Sequence, residues 1–201
     1  MSTRAIRPLF AFGFAVSLLV GSVHADPPVV PAQQAVPSGP VLSGPQVGEK
    51  VPGPFQPLNV NGPNAGKRSC LYCKFGMHPV VMVFAREVTP SLILLMKQVD
   101  AITAAHGDVG MSSCVVVCTD TDGVVPQLEA LAKQQNLNHL ILAAFHADGP
   151  KPYQIAPTAE VTVLLYTKGV VKANYAFKKG EMTPVDVQRI LADLPKILAA
   201  H

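Results

Sequence analysis

Two short runs without a polar interruption limit the architectures open to this chain. Val80-Val81-Met82-Val83-Phe84 and Cys114-Val115-Val116-Val117-Cys118 are apolar throughout and rich in β-branched side chains. A strand with one wet face alternates apolar and polar residues, so an uninterrupted run calls for a strand covered on both faces. A helical pattern follows the first run. Thr89 supplies a capping hydroxyl, Pro90 suits the first helical position, and Leu92, Leu95, Met96, Val99 and Ile102 recur at spacings of three and four up to about Ala105. His106-Gly107 ends it.

Past the second run, Thr119-Asp120-Thr121-Asp122-Gly123 turns the chain, and one of its aspartates is expected to cap a helix over about 125–135. Its partial likeness to a calcium loop lacks the completing glutamate, which favours the cap. A third strand is expected over 137–144. Two more, 161–166 and 170–176, are separated by Thr167-Lys168-Gly169, which reads as a hairpin turn. Thr183-Pro184-Val185-Asp186 opens the last helix, whose apolar face is Val187, Ile190, Leu191, Leu194 and Ile197, with Pro195 expected to shorten or kink it. Phe55 to Gly62 alternates enough for an edge strand before the loop Gly62–Lys67. The order specifies an α/β sandwich: a central mixed β-sheet flanked by helices, a terminal β-hairpin and a C-terminal helix.

The chain is 201 residues long, which suits one domain with appendages. Residues 1–25 read as a signal peptide. Arg4 and Arg7 form a positive start, Leu9 to Val20 an apolar core, and Val23-His24-Ala25 a small-residue cleavage site ahead of Asp26. That apolar run is too short to span a bilayer, so export with cleavage near Ala25, into a periplasm or medium, is expected without stable membrane insertion. Residues 26–46 are rich in proline and read as a disordered linker, leaving 47–201 as the domain. The formal charge is +3, and Arg4 and Arg7 leave with the leader, giving +1. That balance gives no support to a nucleic-acid partner.

Cys70-Leu71-Tyr72-Cys73 stands just ahead of the first buried strand, with Lys67, Arg68 and Lys74 beside it. As a redox pair, Cys70 and Cys73 hold attacking and resolving thiols within reach, and the cations favour a thiolate. As a structural staple they close a short loop in an oxidising compartment. As half of a metal site they need two more ligands, with Cys114 and His78 as candidates. Covalent haem attachment, which normally ends in a histidine, meets Lys74 instead. Cys114 and Cys118 are four apart on one strand, about 13 Å, so they share a face, cannot bridge and read as buried core thiols. Glu87, Asp120 and Asp122 could gather at the carboxyl ends of the strands, where α/β folds often take ligands.

Val163-Leu164-Leu165-Tyr166-Thr167-Lys168-Gly169-Val170-Val171 resembles the final hairpin of the thioredoxin-like superfamily. Pro79 to Phe84, running into the Thr89 helix, resembles its central strand and active-site helix. Cys70 to Cys73 with Pro79 to Glu87 is similar to a group of secreted bacterial redoxin-like proteins. The resemblance covers roughly 47–200. It implies a thioredoxin-like sandwich and a thiol–disulfide oxidoreductase, with Cys70 and Cys73 as catalytic residues, protein thiols or disulfides as partners and no external cofactor. The sequence departs from that family in two places. There the cysteine pair follows the central strand at a helix start; here that place is Val88-Thr89-Pro90-Ser91, and Cys70 and Cys73 precede the strand, about 20 Å away unless the loop folds back. The place of the family's cis-proline is taken by Val161, and the chain has no tryptophan. A non-catalytic binding or scaffold module with a structural Cys70–Cys73 bridge therefore stands as the alternative, and a metal-binding protein as a third.

Overall fold

The computed structural model describes residues 41–199. The expected signal peptide and residues 26–40 of the expected linker lie outside the described residues. In chain order the elements are β1 (Leu58–Asn59), α1 (Leu71–Phe75), β2 (Val80–Ala85), α2 (Pro90–Ala105), β3 (Ser112–Cys118), α3 (Val124–Gln134), β4 (Leu140–Phe145), β5 (Val161–Thr167), β6 (Val170–Phe177), α4 (Pro184–Ala192) and α5 (Pro195–Leu198). They form one sheet in the order β1-β4-β3-β2-β5-β6. β2, β3 and β4 are parallel, while β5, β6 and β1 run against their neighbours. The expected mixed sheet, final hairpin and C-terminal helix are all present.

The two uninterrupted runs became the two central strands, buried along their length apart from the first residue of β3. Each needs cover on both faces, and alternate residues divide between two cores. Val81, Val83, Val115 and Val117 face a core filled by Leu92, Leu95, Met96 and Val99 of α2, Leu128 of α3 and Val187 and Ile190 of α4. Val80, Met82, Phe84, Cys114, Val116 and Cys118 face a second core closed by Leu71 and Phe75 of α1 with Phe55 and Tyr153. The helices α2 to α4 thus share one face of the sheet, and α1 lies on the other.

The caps follow the sequence at α2 and α4. Thr89 Oγ1 accepts the N–H of Leu92 at 3.2 Å, and Thr183 and Asp186 form a reciprocal capping box. Pro195 divides the last helix into α4 and α5, as expected. Lys168 and Gly169 close the hairpin with φ of 53° and 71°, the paired positive values of a two-residue turn matched to strand twist.

Three details differ from the expectation. No aspartate caps α3: Gly123, at φ 76°, is its N-cap and makes no side-chain cap bond. Asp120 is engaged elsewhere, its Oδ1 accepting the N–H of Ala147 at 3.0 Å. Leu137 lies just past the end of α3 and donates its N–H back to the Ala132 carbonyl, and β4 begins only at Leu140. Asp100 fixes that start, accepting the N–H groups of His139 and Leu140 at 2.7 Å each. Finally, Ser43 is already bonded to the sheet. Its Oγ lies 2.7 Å from Thr162 Oγ1 and accepts the N–H of Ala156, and Asn174 Nδ2 donates to the carbonyls of Ser43 and Pro45.

The outer edge of β4 is met by only two residues of β1. Beyond them the Asn61 carboxamide continues the ladder. It accepts from Leu142 N–H at 2.7 Å and donates to the carbonyls of Leu137 and Leu140 at 3.0 Å.

Candidate functional site

α1 is five residues long, far below the length at which a helix holds itself together in water. Leu71 and Phe75, four apart and so on one side, anchor it at 0% and 2% exposure. Cys70 is its N-cap with extended backbone, and Cys73 is the third helical residue. Those two positions face each other across the first turn, which is why a spacing of three suits this chemistry. The sulfurs form a disulfide, with Cα atoms 5.3 Å apart. Cys70 Sγ also accepts the N–H of Cys73 at 3.0 Å. Cys73 is exposed and Cys70 half-buried, so the bond can be approached from the Cys73 side.

The pair does not reach the helix start that follows β2. α2 packs in the core on one face of the sheet and α1 on the opposite face. The sheet stands between them. At the other place, Thr89 serves as a cap, and the preceding Arg86 is a structural clamp. Its guanidinium donates to the carbonyls of Ala147 at 2.7 Å, Ala159 at 3.0 Å and Ala156 at 3.2 Å. It pins the β4–β5 connection to the end of β2. A groove of about 530 Å³ there is bordered by Arg86, Val88, Thr121 and Leu131, and its lining holds no cysteine or histidine.

Cys114 and Cys118 are free, buried thiols in the second core, as their spacing implied. Burial pushes the Cys114 thiol far above the ordinary range. It pushes Cys118 up to about 12, against a smaller opposing pull from Arg86. Neither is a nucleophile at neutral pH. The sequence-derived metal set does not assemble: Cys70 and Cys73 are spent in their bridge, and no cluster of three His, Cys, Asp or Glu ligands occurs among the described residues. Glu87 pairs with Lys179 at 2.5 Å and Asp120 accepts the N–H of Ala147, and among the described residues Glu87, Asp120 and Asp122 form no metal-holding cluster.

No protein-family model matches the chain, and no curated protein matches its sequence. Solved structures do match. A conserved uncharacterised protein of Geobacillus kaustophilus superposes with a TM-score of 0.58 at 14% identity, over 82% of this chain and 89% of its own. Peroxidoxin BcpB of Mycobacterium tuberculosis gives 0.55 at 17%, over 76% and 97%. A secreted disulfide oxidoreductase of the same organism, homologous to Escherichia coli DsbE, gives 0.52 at 11%, over 70% and 93%. The fold is thioredoxin-like. Within that thioredoxin-like frame the helix after the central strand carries no thiol, and a cysteine pair instead sits at the first turn of a separate short helix on the opposite face, with Cys70 as its N-cap.

Two site features escaped the sequence reading. α1 was legible in principle, since Leu71 and Phe75 have helical spacing, but one turn is too little pattern to separate from a loop. Arg86 had no local signal at all: its partners lie 61 to 73 residues away.

Proposed function

We propose that the protein is an exported thiol–disulfide exchange protein acting through Cys70 and Cys73. The observation that carries this reading is the bond from Cys73, an exposed residue, to an N-cap Cys70 whose sulfur already accepts a backbone N–H. A partner thiolate attacks Cys73 Sγ, the Cys70–Cys73 bond breaks, and Cys70 leaves as a thiolate held by the Cys73 N–H. The partner's second thiolate then attacks its own sulfur in the mixed disulfide and releases Cys73. Two electrons pass from the partner dithiol to the cysteine pair, the partner becomes a disulfide, and its protons go to solvent or the released thiolates. The reverse sequence oxidises the pair. A leaving thiolate that is stabilised leaves faster, which is the use of the N-cap. Export is supported by the leader-like residues 1–25 and suits an oxidising compartment.

The rival reading is a binding module in which the bridge is a staple. It is favoured by Thr89 and Arg86 occupying the usual thiol region as cap and clamp. The reduction potential of the bridge, measured against a glutathione series, separates the two. A value between about −120 and −270 mV fits exchange proteins, and one below about −300 mV marks a structural bond and sinks the exchange reading.

A further inference from the structure

Resting on that exchange reading, we infer that α1 is a docking surface for an acidic polypeptide segment that carries the reacting thiol. From Lys50 to Arg86 the chain contains no Asp or Glu, yet Lys67, Arg68 and Lys74 flank the two cysteines in sequence. All three side chains are exposed, and none pairs with a carboxylate. Arg68 makes one long bond, 3.4 Å, to the Gln56 carbonyl.

Two further cations border the far end of α1. Lys168 donates its backbone N–H to the Met77 carbonyl at 2.8 Å, and Lys50 lies beside the same hairpin, opposite Val170. On the other segments covering this face, Glu49 is engaged with the Gln46 N–H at 2.7 Å, and Asp148 shares its loop with Lys151. Met77, 57% exposed, adds an apolar contact at the end of the helix.

Beside Lys74 opens a cleft of about 380 Å³, bordered by Pro63, Phe75, Asn138 and His139. Neither cysteine lines it, but a cleft of that size takes a residue or two of a segment that runs from Cys73 past Lys74. An extended peptide whose cysteine approaches Cys73 would set its flanking carboxylates against Lys67, Arg68 and Lys74. Three exposed cations between positions 67 and 74, with no carboxylate among them, suit a short acidic segment better than an extended anionic surface.

The test uses the oxidised mature protein and synthetic peptides with one cysteine flanked by three acidic, three serine or three lysine residues. Mixed-disulfide formation is timed at low salt and normalised to each peptide's rate with a small symmetrical disulfide. The acidic peptide is expected to react about tenfold faster than the serine peptide, the lysine peptide slowest, with the gap closing near 1 M salt. Lys67→Gln with Arg68→Gln and Lys74→Gln removes the gap, and Lys133→Gln on α3 keeps it. Equal normalised rates for acidic and serine peptides, with the bridge opening normally, overturn the docking inference and leave exchange standing. A bridge that no peptide and no dithiothreitol opens in the folded protein overturns exchange and the inference with it. Sedimentation with phosphatidylglycerol vesicles, without any peptide preference, assigns the cations to lipid and overturns it as well.

Discussion

The backbone N–H of Cys73 points at Cys70 Sγ from 3.0 Å, so one residue of the pair supplies both the disulfide partner and the helix N–H for the other. Opening the bond leaves that N–H in place, and a charge-assisted bond to a thiolate is stronger than one to a neutral sulfur. The two cysteines are therefore unequal, with Cys73 accessible and Cys70 stabilised.

This inequality is measurable by trapping. Cys70→Ser leaves the exposed Cys73 thiol and a serine that still caps α1. It should accumulate mixed disulfides with partner thiols several-fold faster than Cys73→Ser, which leaves only the half-buried Cys70. Equal trapping, followed by mass spectrometry, would remove the assigned roles.

The staple reading fails on stability if the bridge contributes little. Closing a loop of one helical turn restricts the unfolded chain by only about 2 kcal/mol. Cys70→Ser with Cys73→Ser should therefore lose no more than about 2 kcal/mol in urea unfolding while losing exchange. A far larger loss would make the bridge a structural necessity.

The buried thiols give a pH signature. Burial raises the thiol pKa of both Cys114 and Cys118 above the unfolded value near 8.5. The unfolded chain then releases these protons first, so their contribution to stability is present below about pH 8.5 and declines as pH rises from there towards the folded values. Native reduced protein should react with iodoacetamide at Cys70 and Cys73 only, and Cys114 and Cys118 should label after unfolding.

The last helix gives the acid counterpart. The Thr183 hydroxyl, chiefly, holds the Asp186 carboxyl below its ordinary value, with help from the Thr183 N–H and Arg189. A depressed folded value gives stability that is present above the unfolded value near 4 and is lost as pH falls through the folded one. Thr183→Ala should cost about 1 kcal/mol at pH 7 and less at pH 3, measured by thermal unfolding.

What the sequence made legible was local. Val80–Phe84 and Cys114–Cys118 announced buried strands because every residue obeyed one rule, and Thr89-Pro90 and Thr183-Pro184 announced helix starts because a cap sits beside its own helix. The Cys70/Cys73 spacing allowed a bridge, which the fold contains. Hidden were the features made by distant chain: Arg86 gripping three carbonyls, and Asp100 fixing the start of β4 from 39 residues away. The cap expected from Asp120 or Asp122 is absent, and Asp120 is instead bonded to Ala147, 27 residues further along the chain.

Asn61 closes this sheet with a side chain where a full strand would otherwise stand. An open border invites another molecule to add a strand and continue the sheet between chains. With Leu142 and its neighbours already satisfied by a carboxamide, β4 offers no template for such growth. The chain is thereby shielded from edge-to-edge association at the border that β1 covers with only two residues.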